Sequence, residues 1–204
     1  MMKKGLLFLF VLWIGLGYIV QAQSTYDSIT LDGSSALPLL ENNFTQNWNI
    51  SPAAHLGMRV KYHLGSIQLG IRYNRYSSGN PVYEDGSFDS YFIYVGWEYP
   101  FSFSNRLSFA PGLRFGNNYM AFDNPATYPA TGVWGEYIFD PHESEFAYEL
   151  FGRLEYSFTK NPWSLHSTFS YNRTLTYHPM PVSMLSFGIS RSFATPSWLK
   201  SFFK

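Results

Sequence analysis

Apolar and polar side chains alternate with a period of two through most of this chain. The clearest run is Phe146, Tyr148, Leu150, Gly152, Leu154, Tyr156 and Phe158, interleaved with Ala147, Glu149, Phe151, Arg153, Glu155 and Ser157. After Lys160-Asn161-Pro162 the pattern resumes. Trp163, Leu165, Ser167, Phe169 and Tyr171 now alternate with Ser164, His166, Thr168, Ser170 and Asn172. A strand turns successive side chains to opposite faces, so this stretch predicts a hairpin with one greasy, aromatic face and one polar face. The same period picks out five more strands, through Leu56–Met58–Val60–Tyr62, Ile67–Leu69–Ile71–Tyr73, Tyr91–Ile93–Val95–Trp97–Tyr99, Leu107–Phe109–Pro111–Leu113–Phe115 and Leu185–Phe187–Ile189–Phe193. Phe92 interrupts a polar face. Arg191 falls on a greasy one, where its length lets the guanidinium reach a polar interface. Pro111 cannot donate to a ladder and predicts a bulge in its strand.

Composition and the N-terminus change what that greasy face is for. The 204 residues suffice for one domain; aromatics make up 20% and charged residues 14%. Membrane barrels have this balance because aromatic girdles sit at both interfaces and the lipid-facing wall excludes charge, although an aromatic-rich soluble sandwich shares it. Residues 1–22 read as a secretory leader, with Lys3-Lys4, an apolar core over 6–20 and Val20-Gln21-Ala22 as the cleavage site. The competing reading is an uncleaved anchor, for which the core is near the lower limit of about 17 residues. No later run is apolar for long enough to cross as a helix. An exported chain of this kind enters a membrane only as a closed barrel. Without Lys3 and Lys4, the 14 cations become 12 against 14 anions, a net charge of −2 that argues against nucleic acid as a partner. The absence of cysteine excludes disulfides, thiolate chemistry and a lipid-modified N-terminal cysteine.

Connections between the seven strands alternate short and long: Leu64-Gly65, then 77–86, 100–105, 116–145, 160–162 and 174–181. Bacterial barrels have short periplasmic turns and long outer loops. The first of the seven strands therefore runs inward, and a chain entering from the periplasm must already have crossed once. An eighth strand is required within 25–50. There Asp32-Gly33-Ser34-Ser35 looks turn-like, while Leu40, Phe44, Trp48 and Ile50 alternate loosely with Glu41, Thr45, Asn47 and Asn49 as a poor first strand. The predicted fold is all-β, a closed antiparallel up-and-down transmembrane β-barrel of eight strands. Its parts are a leader (1–22), an N-terminal segment with the first strand (23–50), the barrel (51–193) and a tail (194–204).

These alternating strands, with the last one ending in Phe193, resemble the small outer-membrane barrels of the OmpA transmembrane-domain and OmpX kind, and more closely those of Bacteroidota outer membranes. The resemblance implies a cell outer-membrane location in a Gram-negative bacterium. It also implies a barrel-assembly machinery that reads Phe193 as an insertion signal. Ala194 to Lys204 follow that residue, a departure from the pattern: either the signal is internal or Phe203 substitutes for it. Pro196 stops the strand, and Trp198, Leu199, Phe202 and Phe203 could form a short helical turn at the inner interface or fray.

Three kinds of function are open. The inward face carries Arg59, Lys61, Arg72, Arg114 and Arg153 with Glu98, Glu149 and Glu155. An eight-stranded barrel is just filled by its side chains, so these charges predict a salt-bridge network that plugs the lumen, against a narrow charged channel. A lipid-modifying enzyme of the lipid A deacylase or acyltransferase kind needs a Ser–His pair near the outer rim. His166 and Ser167 point to opposite faces; His178 with Ser183, or His142 oriented by Glu143 or Asp140, lack a spacing signature. Catalysis is not expected. The excursion over 116–145 exposes Tyr119, Phe122, Tyr128, Trp134 and Tyr137, which suit an extracellular ligand or protein, or simply pack over the barrel mouth. The scattered histidines suggest no metal, and no cofactor is expected. Outer-membrane lipid is the remaining expected partner.

Overall fold

The computed structural model describes residues 28–40, 42, 44–46, 48–62, 64–78, 87–123, 127–129, 136–138, 142–159, 161–176 and 179–197. The expected leader, Trp134, Asp140, His178 and the aromatic end of the tail lie outside them.

Eight long strands form the wall: β1 (Ser28–Pro38), β2 (Ala53–Tyr62), β3 (Gly65–Ser78), β4 (Phe88–Glu98), β5 (Leu107–Phe122), β6 (His142–Ser157), β7 (Trp163–Thr174) and β8 (Met180–Ala194). Each pairs antiparallel with its neighbour in sequence. The last returns to the first, from Ser28↔Ala194 to Pro38↔Met184. The sheet is therefore a closed eight-stranded up-and-down barrel with every wall strand paired on both sides. The start of β1, the end of β8 and the short connections lie at one end, as the parity argument requires. The long connections lie at the other.

The eighth strand required within 25–50 is there, but not at Leu40 to Ile50 where the loose alternation suggested it. It is Ser28–Pro38, through the Asp32-Gly33-Ser34-Ser35 run that looks like a turn. Its register with β8 and β2 on either side overrides local propensity: Asp32 lies between Ser190 and Gly57, and Gly33 between Ile189 and Leu56. Asp32 reads as a turn residue because its charge has no visible partner in sequence; in the fold it faces inward onto Arg59. The residues proposed for that strand instead belong to the 39–52 connection. Within it, Trp48–Ile50 makes a short pairing with the end of β3.

Pro111 sits in an unbroken ladder against β6, opposite Gly152, and makes no bulge there. Its carbonyl accepts from Tyr99 N at 3.0 Å, so its missing N–H faces the same side, where Tyr99-Pro100 leave the ladder. The donor is lost where β4 has already ended. The tight turn after β2 spans 63–64, one residue earlier than expected, since Tyr62 pairs with Gly65. The excursion over 116–145 is shorter than it looks. β5 runs on to Phe122 and β6 begins at His142, so Tyr119 and Phe122 are wall residues rather than loop residues. Within the connection, Thr127–Pro129 and Glu136–Ile138 form a separate two-stranded ribbon that pairs Tyr128 with Tyr137.

The two faces of the wall divide as the period of two demands. Leu56, Ile93, Leu113, Leu150, Phe169 and Phe187 stand outward and exposed. Inward positions are buried, polar and often charged, with Phe92 among them as expected. Arg191 is outward; its guanidinium lies 5.2 Å from the Trp163 ring centre and 4.9 Å from that of Phe193.

Candidate functional site

The interior has two layers. At the long-connection end, Ala36, Ala53, Tyr76, Phe88, Met120, Met180, Val182 and Met184 form an apolar cluster. Phe44, Trp48 and Ile50, from the 39–52 connection, pack against it together with Phe122. Trp48 meets Phe88 edge-on at 5.2 Å, and Tyr76 stacks on Phe88 at 4.7 Å. Asn42 pins the connection: its side-chain amide donates to Pro181 O at 2.9 Å, while its Oδ1 accepts from Phe44 N and Thr45 N. The mouth at this end is thus corked by its own chain.

Below the cork lies the charge network. Four arginines and four carboxylates meet there: Arg59, Arg72, Arg114 and Arg153 with Asp32, Glu98, Glu149 and Glu155. Arg59 bridges Asp32 at 3.3 Å, Glu98 at 3.1 Å and Glu155 at 2.8 Å. Glu149, with no exposed surface, accepts from Arg114 at 2.6 Å and from Arg72. Arg153 lies 3.6 Å from Asp32 and 3.7 Å from Glu98. Gln68 ties the two halves together by donating to Glu98 and accepting from Arg114 Nε at 2.8 Å. Aromatic faces take up the remaining cationic surface: Arg114 lies over Phe151 at 4.1 Å and over Tyr94 at 4.8 Å, and Arg72 over Phe92 at 5.3 Å. A cation stacked on a ring is attracted by the ring's electron-rich face.

These groups fit because the barrel supplies inward glycines beside them. A Cβ on Gly96 would stand 2.8 Å from both Arg114 Cγ and Leu113 O; one on Gly57 would stand 2.8 Å from Asp32 Oδ2. Both contacts are too short for carbon, so each glycine reserves room for its charged neighbour.

Of the eight residues expected in the lumen, Arg59, Arg72, Glu98, Arg114, Glu149, Arg153 and Glu155 are brought together. Lys61 is not: it lies exposed beside the short turn after β2. Asp32 was missed with its strand. These two changes convert five cations against three anions into four against four. Sequence reasoning also missed the histidine contacts. His55 lies between Ser34 at 3.2 Å and Tyr94 at 2.5 Å, and His166 contacts Ser190 at 2.9 Å. These partners sit 21 to 39 residues apart, and only the barrel's register joins them.

His166 and Ser167 do face opposite sides. His142 stacks on Tyr119 at the rim, 5.5 Å away. The Ser34–His55 contact does not make a relay with Asp32, because both Ser34 and Asp32 approach the same ring nitrogen, Nδ1. At the same rim Arg75 bonds Asp123 at 2.8 Å and lies 3.4 Å from Asp89. The hydrogen bond from Arg75 holds the Asp123 carboxyl below the usual carboxylate range. No group of three or more potential metal ligands occurs among the described residues.

The chain matches no known family of sequences. No curated protein matches it either. Solved structures do. The chain is similar to Neisserial surface protein A, with a TM-score of 0.52 at 15% identity, over 81% of this chain and 96% of that one. It is also similar to the outer-membrane protein Ail of Yersinia pestis in a phospholipid nanodisc, with a TM-score of 0.48 at 13% identity, over 82% and 99% of the two chains. A third is the N-terminal β-barrel domain of OprF from Pseudomonas aeruginosa, with a TM-score of 0.46 at 10% identity, over 83% and 100%. At such identities the likeness to Neisserial surface protein A establishes the shared barrel fold.

Proposed function

We propose that this chain is an outer-membrane barrel of a Gram-negative bacterium that acts at its outer surface or as a structural element of the membrane, not by catalysis. The observation that carries this is the pairing of an oily outer wall with a closed, filled interior. An 11-residue strand such as β1, at about 3.3 Å per residue and a tilt of about 40°, rises roughly 28 Å, enough for the roughly 25 Å apolar band of such barrels. A ring of fully paired strands satisfies its backbone without water, as hydrocarbon requires. Among the described residues, the cork and the balanced charge network occupy the lumen, which supports a plugged barrel over a channel. The long connections then face the outside. They are the parts proposed to meet an extracellular ligand or protein, and the 123–141 connection is the longest of them in sequence.

Residues 1–22 would be removed on export, and the barrel-assembly machinery would read the edge of β8 ending in Phe193. The Bacteroidota resemblance fits this setting. An enzyme of the lipid A deacylase or acyltransferase kind has less support. The nearest Ser–His contacts, at Ser34–His55 and Ser190–His166, are inside the wall rather than on its lipid face.

Surface proteolysis of intact cells tests the reading. Cleavage within 123–141 with protection of 160–162 is expected. Cleavage at 160–162 alone reverses the orientation, and recovery of folded monomer from the periplasm without detergent ends the proposal.

A further inference from the structure

A small cavity of about 20 Å³ remains in the charge layer, between the network and the β7–β8 wall. Its lining includes His55, Arg72, Arg114, Arg153, His166, Thr168 and Ser170 but no carboxylate; Asp32, Glu98 and Glu149 stand behind the arginines as their ion-pair partners. On this measure a single water takes about 10–15 Å³, so there is room for one small ion but not for a phosphate or a carboxylate. The lining is dominated by donors. Arg153 is 1% exposed, yet its Nε and Nη1 make no hydrogen bond among the described residues, and neither does Arg72 Nε. The Thr168 and Ser170 hydroxyls add two rotatable donors. His166 lines the cavity as well, its Nδ1 held 2.9 Å from Ser190 Oγ. A water placed here has two protons to place, for which the Thr168 and Ser170 oxygens are the acceptors, while the unpartnered arginine N–H groups call only for an acceptor. A monovalent anion only accepts.

We infer that this cavity is a binding site for a small monovalent anion of the halide class, chloride being the natural occupant. The anion completes the coordination of Arg153, the one arginine of the network whose carboxylates both stand beyond hydrogen-bond distance at 3.6 and 3.7 Å. It locks the two halves of the network, one centred on Glu149 and the other on Arg59. The site does not depend on which membrane holds the barrel or on what the loops bind.

The test uses bromide as the probe. The refolded full chain is crystallised from detergent with sodium bromide, and anomalous scattering is measured for the wild type and for Thr168→Val and Ser170→Ala separately. Each substitution removes one donor and keeps the volume nearly constant. One bromide peak per barrel is expected in the cavity, within hydrogen-bond reach of Arg153 and weakened in both variants. In solution, the halide concentration that raises the melting temperature above that in matched sodium gluconate rises about tenfold in each variant. An absence of anomalous signal in the cavity overturns the inference, as does a peak of equal occupancy in both variants. The wild-type arm decides even if a variant fails to fold.

Discussion

Glu149 is the most informative single position. It has no exposed surface and carries two arginines, Arg114 at 2.6 Å and Arg72. Glu149→Gln keeps the shape and removes the charge. It leaves two guanidiniums facing a neutral amide that can accept but also presents two protons to them. Unit charges about 4 Å apart at an effective dielectric of about 20 attract by about 4 kcal/mol, and breaking a buried pair from one side costs about 3–5 kcal/mol. Arg114 is partly compensated by Gln68 and by the Tyr94 and Phe151 rings, so the loss is expected near the lower figure, about 3 kcal/mol. The assay is urea-dependent folding into lipid vesicles, followed by the mobility shift between folded and unfolded barrel in unheated gels. Arg72→Met combined with Glu149→Leu removes both members of one pair. It is expected to recover at least half of the loss, because an apolar pair of similar volume replaces an ion pair at little cost. A loss below about 1 kcal/mol for Glu149→Gln would refute the reasoning. It would mean that water screens the lumen and that the network is not what fills it.

Other tests address other parts of the molecule. Leu150→Arg places a charge on the outward wall of β6; a cost of about 2–4 kcal/mol in vesicle folding is expected if that wall meets lipid, and almost none if it meets water. Trp48→Ala loosens the cork at the Phe88 and Phe44 contacts, and faster proteolysis within 39–52 is expected with the barrel still intact in unheated gels. Gly96→Val drives a side chain against Arg114 and Leu113 O, with an expected cost of about 1–3 kcal/mol from overpacking. The Asp123 carboxyl, held low by Arg75, contributes about 1 kcal/mol or less to stability. Because its folded value is depressed, that contribution is fully present above the unfolded value of about 3.9 and lost as pH falls through the folded one. An NMR titration midpoint for Asp123 at or above 3.9 would contradict the pairing.

The strand period in this sequence determined the wall. Each side chain two places along returns to the same face, so Phe146 to Phe158 and Trp163 to Tyr171 announced both their strand and which side would be oily. The alternation of short and long connections even demanded a strand that local reading could not find. Barrel closure explains why: β1 is held by hydrogen bonds from β8 and β2 rather than by the preferences of Asp32-Gly33-Ser34-Ser35. The contents of the lumen were legible as a list of inward charges, but not as a set of pairs. Arg59 finds Asp32, Glu98 and Glu155 across distant strands, and whether Lys61 joins them depends on how far along its strand it stands. Likewise nothing local in Phe44, Trp48 and Ile50 says that they cork a mouth built from Tyr76, Phe88 and Met120. Facing is a property of one strand's own geometry and is written in the sequence. Pairing depends on the stagger between strands, which exists only once the ring has closed.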